Sequence, residues 1–214
     1  MGMSEPTTRQ ARTAATRQRL IDVAVHQFAT KPYNEVWVSE IAGQAGVAHG
    51  LMFHHFGNKR GLYLEAVREI SRRLFELQPA DPEALPSVQL RDVLRQHFQR
   101  MSDNEDLLLG YVRGAIAMSA DPEAWDTLEG HRMEIVAWTC EVAGLDPGNQ
   151  ALQLTLRTAG DAMDQLSVRW LQQGRDFEID ALVEAMVHVV IGTLWAAQTL
   201  DPTLDIRHAV TVLS

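Results

Sequence analysis

Three histidines and a lysine, His49, His54, His55 and Lys59, fall within the run VAHGLMFHHFGNKRGLY. Imidazole and ammonium groups this close together could ligate a metal, relay protons or hold phosphate, and spacing decides among these. On a helix, His54 and His55 point about 100° apart, so they cannot share a metal as histidines four residues apart can. The glycines of GLMFHHFGNKRG follow no strand and lack the lysine-hydroxyl pair of a phosphate loop. Asp161 and Asp164 stand three apart, with no histidine partner and no Glu-x-x-His pattern of a di-iron bundle. The single cysteine, Cys140, excludes an intramolecular disulfide and a cysteine cage, has no histidine constellation beside it, and reads as a small buried apolar residue. No metal, no cofactor and no enzymatic activity are therefore predicted. What remains for these groups is binding, with a polyanion as the natural partner.

The elements that must position them are two short helices meeting at a tight turn, Val38 to Lys59. Ser39 is placed to cap the first helix, Glu40 suits its positive end, and Ile41 and Ala45 recur four apart as a buried stripe. Ala42 is small enough for a close helix crossing, and Gly46, four residues later, can take the positive φ that a sharp turn needs. Val47 and Met52 then anchor the second helix, Phe56 turns inward, and His49, Gly50, Leu51, Phe53, His54 and His55 cover its remaining surface. This is a helix-turn-helix, and that surface is the candidate DNA reader. A helical pair with a glycine turn also occurs in all-helical interaction or adaptor proteins that bind no DNA, which is the alternative function.

The stretch IAGQAGVAHGLMFHHFGNKRGLY resembles the amino-terminal signature of the TetR family of bacterial repressors, in which a comparable run ends in aromatic, His, aromatic and Phe, followed by a Lys that opens the next helix. The resemblance covers Arg17 to Ala66. It implies a DNA-facing set of Ser39, Ala48, His49, Gly50, Leu51, Phe53, His54 and Lys59. His54 and Lys59 stand where family counterparts meet phosphates, His49 is the candidate base contact, and Gly50 permits close backbone approach. Three positions depart from the pattern: Ala48 replaces a capping Ser or Thr, Leu51 a common Thr, and Phe53 a Tyr whose hydroxyl usually meets a phosphate. The resemblance further implies an all-α fold, a homodimer on an inverted-repeat operator of double-stranded DNA, and a repressor released by a small-molecule effector.

The chain of 214 residues has 46% hydrophobic content, enough for a real core. The net charge of −9 hides an asymmetry: through Arg73 ten Lys/Arg face six Asp/Glu, a net +4, and the remainder carries −13. A locally basic face is what phosphate binding needs. The polar opening lacks the apolar core of a signal peptide, and no run reaches the roughly eighteen apolar residues of a membrane span. A soluble cytoplasmic protein without membrane contact is predicted. The chain divides into a flexible arm over 1–12 with Arg9 and Arg12, a helix-turn-helix domain over 13–58, a connecting helix over 59–78 opened by an Asn58 cap, and, after Pro79, Pro82 and Pro86, a helical effector and dimerisation domain over 88–214. Tyr33 to Trp37 is expected to close the small core of the first domain. Helical patterns in the second fall at about 88–102, 105–119, 122–143, 149–173 and 178–200.

The last two of these helices carry apolar stripes too broad for one intramolecular contact, and the family's usual four-helix interface places Gly160, Met163, Met186, Val190 and Ala197 among the dimer candidates. The effector candidates are Phe98, Met101, Tyr111, Met118, Trp125, Met133 and Trp138, which offer bulky adaptable walls. Arg113 and Asp164 join them as polar groups on largely apolar helices. These residues predict a mostly apolar small molecule with one or two polar handles.

Overall fold

The computed structural model describes residues 8–76, 81–110 and 121–214, and within them the chain is helical throughout. The helices are α1 (Thr8–Thr30), α2 (Val38–Gln44), α3 (His49–Phe56), α4 (Lys59–Phe75), α5 (Pro86–Asp103), α6 over the helical residues 105–110, α7 (Pro122–Val142), α8 (Gln150–Gln172), α9 (Ile179–Leu200) and α10 (Arg207–Leu213). Their described residues form two compact units, one of 8–71 with 109–110 and 121–127, the other of 72–76 and 81–108 with 128–214.

In the first unit the apolar stripe of α1, Leu20, Ile21, Ala24 and Val25, is buried together with Ile41 and Ala42 of α2, Met52 of α3, and Leu62, Ala66 and Val67 of α4. Phe28, Tyr33 and Tyr63 close it as an aromatic cluster, with Tyr63 edge-on to the other two at 5.1 and 5.0 Å. Val36 is buried there too, but Trp37 is 65% exposed, so it does not serve the core expected of it. Residues 8–12, expected in a flexible arm, already belong to α1: nothing in TRQARTAATRQR breaks a helix, and the amphipathic stripe that follows carries the helix back into the polar residues. Residues 109–110 and 121–127 group with this unit rather than with the second one. Ion pairs of Asp121 with Arg60, and of Glu123 with Arg60 and Arg68, lie within it at 3.0–3.1 Å.

In the second unit α8 and α9 pack along their lengths and α5 lies against α9. Asn149 caps α8, its side-chain oxygen accepting from Ala151 and Leu152 N–H at 3.0 and 3.1 Å. The helix ends expected at Gly144 and Gly174 are found at positive φ, +69° and +90°. Phe98, Met101, Leu108, Leu152, Leu194 and Ala197 are fully enclosed, and the Trp170 indole N–H donates to the Phe177 carbonyl at 2.9 Å. Among the described helices, α9 alone is long and apolar enough to cross a membrane, with a mean hydropathy of 1.6. Its buried face packs within this unit, and its outer face leaves Val189 and Trp195 exposed.

Candidate nucleic-acid interface and ligand cavity

The turn between α2 and α3 is fixed by backbone geometry. Gly46 sits at φ +65°, its N–H bonds the Gly43 carbonyl at 3.1 Å, and the Val47 N–H reaches back to Ala42 at 3.0 Å. This double closure is a Schellman end, and it turns the chain sharply enough for α3 to leave across α2. Ser39 lies inside α2, whose N-cap is Trp37 with no side-chain cap bond, so Ser39 is exposed but does not cap. Trp37 has no oxygen for the role, and the helix begins two residues earlier than the serine pattern predicts. Glu40, in the first turn, pairs instead with Lys31 at 3.2 Å.

On α3, Met52 is fully buried and pins the helix from beneath. Ala48, His49, Gly50, Leu51, Phe53 and His54 are exposed, and His55 and Phe56 are half-buried. Ala48 supplies no side-chain cap. Two apolar groups stand outward among the imidazoles, Leu51 at 39% and Phe53 at 46% exposure, with the His49 ring edge-on to Phe53 at 5.2 Å. Burial, the neighbouring His54 and Arg17 hold the His55 imidazole below its ordinary pKa. Arg17 itself pairs with Glu65 and lies 5.3 Å over the Phe56 ring, tying α1 to the end of α3 and to α4.

The joint to α4 is equally determined. Asn58 Oδ1 accepts from the Gly61 N–H at 2.8 Å, the expected cap. A Cβ at Gly61 would run into the Phe56 carbonyl oxygen, so only glycine allows α3 and α4 this close. Lys59 Nζ rests 4.4 Å above the Tyr33 ring, and burial lowers its pKa. The ammonium is thereby held at the start of α4.

The second unit contains a cavity of about 90 Å³, several times the space one water needs. Its walls include Leu74, Leu90, Leu94, Trp138, Met163 and Met186. Of the expected effector residues, Trp138 and Asp164 line it. Phe98 and Met101 are packed core behind the wall, Met133 is not in the lining, and Trp125 stands 44% exposed in the first unit. Tyr111, Arg113 and Met118 lie outside the described residues. Gly160, Met163, Met186 and Val190, expected at a dimer interface, line this cavity, and Ala197 is enclosed. Helical spacing gives α8 and α9 apolar residues on two faces, and the inward face claimed these positions. The outward face exposes Leu154, Val189, Gly192 and Trp195 instead.

Polar groups absent from the expected set organise the cavity: His97, Arg100, Arg132 and Arg157. Arg132 is paired with Asp164, donates to Asp161 at 3.1 Å and stacks 4.8 Å from the Phe75 ring. Arg157 grips Glu129 with two bonds, 2.8 and 3.1 Å, and reaches Asp161 at 2.6 Å. Burial pushes the Asp164 carboxyl above the usual range while Arg132 opposes the shift. Ser167 donates its one proton to the Met163 carbonyl at 2.9 Å, so His97 Nε2, 3.3 Å from the same hydroxyl oxygen, is the donor of that pair. Burial above all, then Arg100 and Arg132, lower the His97 pKa to about 3, which keeps the ring neutral. A sequence signal for two of these residues did exist. His97 falls on the Leu90–Leu94–Met101 stripe and Arg132 on the Leu128–Val136 stripe, polar residues at apolar positions.

A helical unit with a Schellman turn and an exposed α3, and a second helical unit with its own cavity, define a two-part helix-turn-helix protein. The profile of the bacterial regulatory proteins of the tetR family matches residues 20–66. The chain matches that family over this amino-terminal stretch and shares the fold of a tetR-family member along its length. It is 30% identical over 93 residues to the fatty acid metabolism regulator protein of Bacillus subtilis, a match covering 42% of this chain and 48% of that protein. The chain thus spans about half the length of that relative. It is 23% identical to the transcriptional repressor KstR2 of Mycolicibacterium smegmatis, across 86% of this chain and 93% of that protein. A tetR-family regulator from Streptomyces coelicolor shares the fold with a TM-score of 0.72 at 21% identity, covering 99% and 91% of the two chains.

Among the described residues, no group of three His, Cys, Asp or Glu side chains is placed to hold a metal ion.

Proposed function

We propose that this chain is a cytoplasmic, ligand-responsive transcriptional regulator: a repressor that binds an inverted-repeat operator as a homodimer and leaves it when a small molecule fills the cavity. The observation that carries the reading is α3 itself, a helix pinned by Met52 whose other faces present His49, Gly50, Phe53 and His54 to solvent directly after a Schellman turn. Such a helix fits the major groove, with Lys59 and His54 on phosphates and His49 at a base edge. Repression is favoured over activation by the name of the relative that spans the chain, a transcriptional repressor. The dimer surface in this reading is the outward face of α8 and α9, where Leu154, Val189, Gly192 and Trp195 form an apolar strip on a soluble unit.

The effector is a mostly apolar small molecule with a polar handle, because Leu, Met, Val and Trp side chains make up most of the cavity wall beside a smaller set of polar and charged groups. The test is a selection of bound fragments from a random DNA library, followed by gel shifts of the enriched fragment with candidate effectors added. An enriched inverted repeat, released by an apolar compound that also changes Trp138 fluorescence, is the expected result. No enrichment over random DNA would sink the reading.

A further inference from the structure

The three cavity arginines are not equivalent. Arg132 and Arg157 are each neutralised by two carboxylates, Asp161 and Asp164 for one, Glu129 and Asp161 for the other. Arg100 donates through Nη1 to a backbone carbonyl, that of Glu76, and among the described residues no carboxylate lies within ion-pair distance of it. It is half-buried all the same. Burial lowers the pKa of this guanidinium, Glu76 raises it and Arg72 lowers it further. Its neighbour one turn earlier on the same face of α5, His97, is neutral and offers no counter-charge.

We propose that Arg100 is the anion contact of this cavity, and that the ligand it takes is an apolar molecule bearing a single carboxylate. The proposal rests on the effector reading above and names the chemistry of that effector. A partly desolvated guanidinium whose nearby counter-charge, Glu76, is not in ion-pair contact with it is costly, and a carboxylate matches its planar fork with two parallel bonds. A cationic ligand would meet Arg100 with like charge. A neutral ligand would desolvate Arg100 further and compensate nothing. The anionic end is also directed to one place: Arg132 is already satisfied by Asp164, whose charge repels a second carboxylate there. The apolar body then lies among Leu90, Leu94, Trp138 and Met163.

The test uses the full chain, with octanoate and octanol titrated by calorimetry as one apolar body with and without the carboxylate. Octanoate is expected to bind the wild type at least about tenfold more tightly than octanol. Arg100→Gln should erase that preference by weakening octanoate while octanol binding changes little. Should Arg100→Gln fail to fold, Arg100→Lys replaces it: a point charge lacking the fork is expected to bind octanoate more weakly than wild type. Equal affinity for acid and alcohol in the wild type, a preference surviving Arg100→Gln, or undiminished octanoate affinity in Arg100→Lys would each overturn the assignment. Gel shifts on the same samples separate the two readings. Operator binding without acid preference sinks the Arg100 assignment alone, and acid preference in a chain that retards no DNA supports Arg100 while sinking the regulatory reading.

Discussion

At the scale of single residues, charge and burial decide what each group can do. His97 is enclosed and neutral, with its pKa lowered to about 3 from the ordinary 6.5. The unfolded chain takes up a proton that the folded chain refuses, so His97 contributes stability that is present above pH 6.5 and is lost as pH falls toward 3. The slope is on the order of 1.4 kcal/mol per pH unit across that window. A His97→Gln variant, polar but not titratable, should lose stability less steeply on acidification than the wild type in denaturant titrations at pH 7, 6 and 5. Parallel profiles would place the effect elsewhere. On the DNA side, Lys59→Ala should weaken binding to all sequences alike and lower the salt slope by about one. His49→Ala should instead alter preference among operators. Equal losses across operators for His49→Ala would refute its reading role.

At the scale of elements, the reading helix is set by its two joints. The Asn58 cap is a single 2.8 Å bond to the Gly61 N–H, so Asn58→Ala should cost about 0.5–2 kcal/mol in chemical denaturation. Gly61→Ala brings a methyl group into the Phe56 carbonyl and should cost about 1–3 kcal/mol, with operator affinity falling because α3 must move. Gly50 gives the opposite pairing. Its Cβ position is open, so Gly50→Ala should leave stability unchanged or raise it by up to about 1 kcal/mol. Operator affinity should nevertheless fall, since the proposed docking brings the backbone there close to the DNA. A Gly50→Ala protein that binds its operator as wild type removes that close approach.

At the scale of the whole molecule, the proposed dimer separates two kinds of damage on α9. Trp195, 50% exposed, and Gly192 face outward, so Trp195→Asp or Gly192→Arg should yield folded monomers with poor operator affinity. Ala197 is fully buried, and Ala197→Arg should unfold the second unit rather than split a dimer. Light scattering with circular dichroism distinguishes these outcomes, and unchanged mass for both outward variants would move the interface off this face. A two-fold dimer requires half-sites about one duplex turn, roughly 34–36 Å, apart or somewhat more. Effector and operator must also weaken each other by the same factor, which calorimetry of the effector with and without DNA can check.

The amino-acid sequence by itself determined the helical class, the helix-turn-helix and the joint that orients it. These depend on local rules: Gly46 at a turn, Asn58 at a cap, and apolar residues three and four apart. It also held the family resemblance between Arg17 and Ala66, because α3 and its neighbours meet over short sequence distances. Only the tertiary structure decided which face of α8 and α9 looks inward, and hence that Gly160, Met163, Met186 and Val190 wall a cavity while Val189 and Trp195 face out. Only it paired Asp164 with Arg132, thirty-two residues away, and left Arg100 without a carboxylate among the described residues. Periodicity reports that a helix has an apolar face, but partners distant in sequence choose which face is buried, and ion pairing follows that choice.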